Sequence, residues 1–383
     1  MTVTTPLGFR AAGVTAGLKP SGKPDIALIV NDGPAAAAAA VFTSNRCKAN
    51  PVLWSEQVIK DGSVRAVIAN SGGANCYTGA AGFQVTHATA EQVAADLGVS
   101  SVDVLVCSTG LIGLLNDRQQ LVDGAATAAT RLSADGGPAA AEAIMTTDTV
   151  TKQAVAHGAG FTVGGIAKGA AMLAPALATM LVFVTTDADV DASTCDRALR
   201  EATRTTFDRL DSDGCQSTND TVLLMASGAS GVSPTYEDFA ASVHEVCREL
   251  ATSLLADAEG SEHDIAIEVR GAASEDDAVT VARSIARSSL FKCAIFGRDP
   301  NWGRILASVG TTDAVFDASD LDVAVNDVWV CRSSAPAADP AAVDLTGRQV
   351  GVTVDLKAGE QAATVWTNDL THAYVHENSA YST

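Results

Sequence analysis

The chain has no cluster of positive charge. Its 383 residues carry 25 Lys and Arg against 45 Asp and Glu, a formal net charge of −20. Binding to phosphate backbones needs grouped Lys and Arg, so a nucleic-acid partner is excluded. The excess of acid reads as a solvated surface. Long apolar runs are also scarce. The one uncharged candidate, Gly169 to Thr186, sits at the lower length limit for a membrane span, is rich in Ala and Gly, and is interrupted by Pro175. It does not read as a span. The opening "MTVTTPLGFR" has neither a basic nor an apolar leader region, so no signal peptide is expected and the cytoplasm is the expected location.

Several chemical signatures are missing as well. There is no CxxC pair, no P-loop, no HExxH and no GxSxG. The glycines of "GAGFTVGG" from Gly158 have the wrong spacing for a dinucleotide and read as a hairpin turn. The eight cysteines are irregularly spaced, which fits free thiols better than zinc ligands or a disulfide framework. No metal and no cofactor are expected. The six scattered histidines each read as surface or capping residues. An enzyme built on this sequence must find its general base elsewhere.

What is present is a globular pattern: 47% hydrophobic residues and a mean hydropathy of +0.17. Runs rich in Val and Ile at Ile26–Val30, Val64–Ala69, Val102–Cys107, Met180–Val184 and Thr221–Met225 read as strands. Helical stretches lie at Gln84–Leu97, stopped by Gly98, and from about Thr194 to Leu210. A long helix opens at "SPTYEDF", with Ser233 as the expected N-cap and Glu237 and Asp238 at the positive dipole end, and runs to about Ala256. "DIAIEV" from Asp264 alternates as a strand, and Ser274 caps another helix. "VAVNDVWVC" predicts a tight hairpin at Asn326-Asp327. "VGVTVDLKAGEQAATVW" predicts a longer hairpin near Ala358-Gly359. The expected class is mixed α/β, with antiparallel or mixed sheets and helices outside.

Within "KGAAMLAPALATMLVFVTTDA", Lys168 to Ala188, a lone hydroxyl stands at Thr179 among small and apolar neighbours. It is either a hydrogen-bonded core residue or a masked nucleophile. Cutting Ala178–Thr179 would give Thr179 a free α-amine beside its own Oγ. Such an amine has a pKa of about 7.7–8, against about 10.4 for lysine, so part of it is neutral near pH 7. It can then take the hydroxyl proton, and one residue serves as nucleophile and base. From "ATML" alone the core reading would prevail.

Ordered motifs add to this: "VFTSNRCKANPV" from Val41, "NSGGANCYTG" from Asn70, "CSTGLIG" from Cys107, "MTTDT" from Met145, "VGGIAKGAAMLAPALATML" from Val163, "DSDGCQSTNDT" from Asp211, "DAEGS" from Asp257, "GRDPNWGR" from Gly297 and "HENSAYST" from His376. Together they resemble the ornithine acetyltransferases, the ArgJ or glutamate N-acetyltransferase family, over nearly the whole chain. The resemblance implies self-cleavage between Ala178 and Thr179. An α chain (1–178) and a β chain (179–383) would stay associated in one integrated fold of two β-sheets between helical layers, assembled as a heterotetramer or larger. It implies acetyl transfer from N2-acetyl-L-ornithine to L-glutamate by ping-pong chemistry. No cofactor is implied, although some members also accept acetyl-CoA as acetyl donor.

By the same resemblance, Thr179 is the nucleophile, and Thr109 and Gly110 form the oxyanion hole. Thr146, Lys168, Glu259, Asn378 and Thr383 contact substrate together with Thr179. This sequence departs from the family at His263, where a lysine is usual, at Gly73, where many members have Asn, and at Ala171, where many have Gly. Two other readings stand beside it. A hydrolase with the same kind of N-terminal nucleophile would use water as acceptor. A non-catalytic binding protein would stay one uncut chain.

Overall fold

The computed structural model describes residues 2–171 and 180–380. Its first part contains strands β1 (Phe9–Val14), β2 (Ile26–Asn31), β3 (Ala37–Phe42), β4 (Ala66–Asn70), β5 (Val104–Ser108), β6 (Lys152–His157), β7 (Thr162–Lys168), β8 (Leu181–Thr186) and β9 (Thr221–Ala226). Helices α1 (Asn50–Val58), α2 (Gly79–Leu97), α3 (Arg118–Thr130), α4 (Gly137–Ala143), α5 (Ala192–Thr205) and α6 (Tyr236–Ala256) lie between and after them. The remainder holds β10 (Asp264–Ala272), β11 (Asp322–Val325), β12 (Val328–Arg332), β13 (Ala335–Pro336), β14 (Gln349–Asp355) and β15 (Gln361–Asn368), with α7 (Glu275–Ala286), α8 (Ser289–Phe296), α9 (Trp302–Val309) and α10 (His372–Ala380).

Two sheets form the body that carries the site. One runs β1-β2-β4-β5 and the other β3-β9-β8-β7-β6, and both mix parallel and antiparallel pairs. Their strands are buried on both faces, which is why they read as continuous apolar runs rather than alternating ones. Between the sheets, Ile29, Val67 and Leu105 of one meet Ile166, Phe183 and Leu223 of the other. The outer face of the first sheet packs on Val85, Val93, Leu121 and Ala125 of α2 and α3. The outer face of the second packs on Leu199 of α5 and on Phe239, Val246 and Leu250 of α6. The expected arrangement, two sheets between helical layers, is therefore present. A third sheet, β13-β12-β11-β14-β10-β15, adds a further layer closed by α7, α8 and α9 around its own core.

Several local expectations hold. Gly98 ends α2 in the left-handed region, and Ser274 caps α7 by accepting from the Asp277 amide. Asn326 and Asp327 both take positive φ between β11 and β12. All eight cysteines are free thiols.

Others need correction. The cap of α6 is Thr235, not Ser233: the helix starts at Tyr236, and the Thr235 hydroxyl accepts from the Asp238 amide at 3.2 Å. The helix expected to reach Leu210 ends at Thr205, followed by a short 3₁₀ turn. The long hairpin near Ala358-Gly359 does not exist. The amides of Ala358 and Gly359 both donate to Gly271 O, so the connection wraps the end of β10. β14 then pairs with β10 in parallel and β15 pairs with it on the other side, antiparallel. His263 is also no surface residue. It is 4% exposed, and its Nδ1 lies 2.7 Å from Asp369 Oδ2.

Phe183 is fully buried between the two facing sheets. Truncation to alanine is expected to cost about 3–5 kcal/mol, read as a shift in urea-unfolding midpoint without a change in slope. A loss near zero would mean the sheets do not meet there.

Candidate functional site

The site forms where several strands stop at one level. Lys168, the last residue of β7, pairs with Leu181, the first of β8. Leu181 in turn pairs with Thr221, the first of β9. Ser108 ends β5 in the facing sheet and is followed by Thr109. Asn219 ties the two sheets together at this end, donating through Nδ2 to Ser108 O at 2.8 Å and to Ala74 O at 2.7 Å. Residues far apart in sequence thus share one edge.

The turn after β5 is held tightly. The Thr109 amide donates to Asn70 O at 2.9 Å, and Ala74 N donates to Leu111 O at 3.0 Å. Gly110 adopts φ +117, and a Cβ there would lie 3.0 Å from Gly73 N. Only glycine suits both the dihedral and the approach. Lys168 Nζ donates to Thr109 Oγ1 at 3.2 Å, and both residues are almost wholly buried. With its oxygen occupied as acceptor, the Thr109 hydroxyl keeps its own hydrogen for another partner. That hydrogen and the Gly110 amide are the two donors expected of an oxyanion hole.

The buried lysine needs compensation, and Asp148 supplies it. The Asp148 side chain is fully buried. Its Oδ1 accepts from the Gly169 amide at 2.6 Å and from Lys152 Nζ at 2.6 Å, and Lys152 also reaches Asp257 at 2.6 Å. Asp148 Oδ2 accepts from the Thr146 amide at 3.0 Å. Burial alone would raise the Asp148 carboxyl, but Lys168, Lys152 and the Gly169 amide outweigh it and hold it down at about 2. For Lys168, burial pulls the ammonium pKa below its ordinary value, and Asp148 opposes that pull.

Asp220 is the other buried carboxyl at this edge. Its Oδ1 accepts from the Met180 amide at 3.0 Å, while its Oδ2 has no hydrogen-bond partner among the described residues. Burial raises its pKa well above the usual carboxylate range, despite the hydrogen bonds from the Met180 amide and the Ser217 side chain and the field of Lys168.

Beside this cluster runs a cleft of about 220 Å³, lined among others by Ala170, Glu259, Asp213, Lys292, Arg287 and Tyr374. The Glu259 amide donates to Ala170 O at 2.8 Å, which joins the cleft wall to the segment after Lys168. Glu259 Oε2 accepts from Asn378 Nδ2 at 3.0 Å, while Oε1 is buried with no partner among the described residues. Leaving such an oxygen unmade costs roughly 1–3 kcal/mol, and a donor entering the cleft would recover it.

Thr109, Gly110, Thr146, Lys168, Glu259 and Asn378 are therefore joined through short hydrogen-bonded links. Thr179, Ala178 and Thr383 lie outside the described residues. Met180, adjoining Thr179, immediately precedes β8, and its amide donates to Asp220. Of the departures, Gly73 has its side-chain space taken by Asn116, whose Nδ2 donates to Gly73 O at 3.0 Å and whose Oδ1 would stand 2.5 Å from a Cβ.

Sequence reasoning missed Asp148, Lys152, Asp257, Asp220 and Lys292. A signal existed for three of them, because Asp148 lies within "MTTDT", Asp220 within "STNDT" and Asp257 within "DAEGS". Lys152 gave none, because it lies outside the motifs quoted above and merely precedes an apolar alternation. Among the described residues, no group of three or more His, Cys, Asp and Glu is placed to hold a metal ion.

Three comparisons bear on this site. The ArgJ family model matches residues 10–383. The arginine biosynthesis bifunctional protein ArgJ of Streptomyces coelicolor is 60% identical over 382 residues, covering 100% of both chains. That of Thermobifida fusca is 61% identical over 383 residues, again covering 100% of both. Among solved structures, ornithine acetyltransferase from Mycobacterium tuberculosis, complexed with ornithine, is 55% identical, with a TM-score of 0.45, over 45% of this chain and 94% of that one.

Asp148 gives a pH test. Its folded pKa of about 2 lies below the ordinary 3.8, so its stabilisation is complete above the ordinary value and is lost as pH falls through the folded one. Asp148→Asn should destabilise by about 3–5 kcal/mol at neutral pH, because two buried lysines lose their counter-charge. In urea unfolding the deficit should shrink below about pH 4. A deficit constant down to about pH 2 would contradict the assignment.

Proposed function

This chain belongs to the ArgJ family, and from that premise we propose that it transfers an acetyl group from N2-acetyl-L-ornithine to L-glutamate in arginine biosynthesis. The observation that carries the reading is the Lys168–Thr109 contact, set at the edge where Leu181 begins β8. It supports a reading in which Thr109 and Gly110 supply oxyanion donors beside the strand that follows the candidate nucleophile.

In this reading the chain cleaves itself between Ala178 and Thr179. The chains 1–178 and 179–383 stay interleaved, since β8 pairs with β7 on one side of the cut and with β9 on the other. Thr179 Oγ attacks the acetyl carbonyl, and its new α-amine takes the hydroxyl proton. Negative charge gathers on the carbonyl oxygen, where the Thr109 hydroxyl and Gly110 amide receive it. The proton passes to the departing nitrogen, ornithine leaves, and an acetyl-threonine ester remains. The glutamate amine then attacks that ester, its proton returns to Thr179 Oγ through the α-amine, and N-acetylglutamate departs.

Glu259 suits the amino groups of ornithine, and Lys168 suits a carboxylate or the developing oxyanion. Thr146, Asn378 and Thr383 complete the substrate contacts. The reaction as written requires no cofactor, and acetyl-CoA is a second acetyl donor of the same carbonyl chemistry. Cytoplasmic location and a pair or more of α/β units belong to the same proposal. Among the described residues no helix is long and apolar enough to cross a membrane.

The test is exchange. Ornithine release from acetylornithine should depend on glutamate and yield N-acetylglutamate in equal amount. Release at the same rate without glutamate would make water the acceptor and overturn the transfer. Thr109→Val should lower kcat by about 10²–10³-fold with KM little changed. An unchanged kcat would remove Thr109 from the oxyanion hole.

A further inference from the structure

Residue 180 is gripped from both sides by two consecutive residues. Its amide donates to Asp220 Oδ1 at 3.0 Å, and its carbonyl accepts from the Thr221 amide at 3.2 Å. Asp220 is itself fixed, because its carbonyl accepts from the Thr43 amide at 3.0 Å at the end of the neighbouring strand β3. The second hydrogen bond is ordinary sheet pairing between β8 and β9. The first is not, because it uses a wholly buried carboxyl that makes no ion pair within 4 Å among the described residues. Beside the Met180 amide, only the Ser217 side chain among the described residues helps to stabilise this carboxyl by hydrogen bonding, and an apolar sheet edge rarely buries a carboxyl against a backbone amide unless that amide must be placed.

The Met180 nitrogen is bonded to the carbonyl carbon of Thr179. We propose that Asp220 is a positioning residue, holding the Met180 amide so that Thr179 is aimed correctly both for self-cleavage and for acetyl transfer. This rests on the function proposed above. The carboxyl acts in its neutral form: its environment is buried, and its Oδ2 meets no partner among the described residues. Burial raises its pKa well above the usual range. Neutral Asp and Asn share shape and acceptor, so the two should be interchangeable here.

The experiment uses the full-length chain as wild type, D220N, D220L and T179A. Fragment appearance is followed by intact mass, transfer by steady-state kinetics on the cut fraction, and folding by Tm. D220N should cleave at a rate close to wild type, with kcat and KM preserved. D220L keeps the branched heavy-atom outline, though it is bulkier, and loses the acceptor. It should cleave slower, and transfer with kcat reduced, by on the order of 100-fold at similar KM. If D220N falls as far as D220L, the charge and not the acceptor matters, and the proposal is overturned. It is also overturned if D220L loses Tm but cleaves and transfers like wild type per folded molecule. Should D220L fail to fold, the D220N result still decides. An uncut wild type, matching T179A, would instead defeat the proposed function itself.

Discussion

A buried ammonium at the meeting edge of two sheets must be compensated, and Asp148 does this for two lysines at once. Its carboxylate faces Lys152 directly and lies in the field of Lys168. Without it, the pull of burial on the Lys168 ammonium would lose its largest opposing charge. The same carboxylate accepts the Thr146 and Gly169 amides, so it also fixes the two backbone segments that flank the lysine in space. Charge compensation and loop geometry are one constraint here. The second link of Lys152, to Asp257, extends it to the end of α6, two residues before Glu259.

The sheets explain why one edge can host this chemistry. β7, β8 and β9 are in register at Lys168, Leu181 and Thr221, and Asn219 pulls the end of β5 against them. Side chains on strand ends packed from both faces have few rotamers open to them. That is the preorganisation an oxyanion hole requires. Asp220 Oδ2 and Glu259 Oε1, which have no hydrogen-bond partner among the described residues, mark where these residues carry unmet hydrogen-bonding capacity.

Much of this was legible in the residues themselves. Apolar runs marked the central strands because those strands are buried on both faces. Asn326-Asp327 marked its hairpin because few other pairs accept two positive φ values. The motifs around Thr109, Lys168 and Glu259 located most of the site. What stayed hidden depended on tertiary partners. The alanines of β3 have helical propensity, yet pair with β9 along their whole length. β14 and β15 looked like a hairpin because local pattern cannot show that β10 lies between them. His263 read as a surface or capping residue and Asp148 and Lys152 drew no notice, because a charge reveals its burial only when its partner is known, and those partners lie in other segments or on other elements.

The account turns on a threonine that becomes a nucleophile only when the bond before it is cut. Intact-mass spectrometry of the purified chain beside a Thr179→Ala variant tests this most directly. The account predicts two fragments for the wild type, one ending at Ala178 and one beginning at Thr179, and a single uncut chain for the variant. A wild-type chain that stays whole on incubation while correctly folded would contradict it.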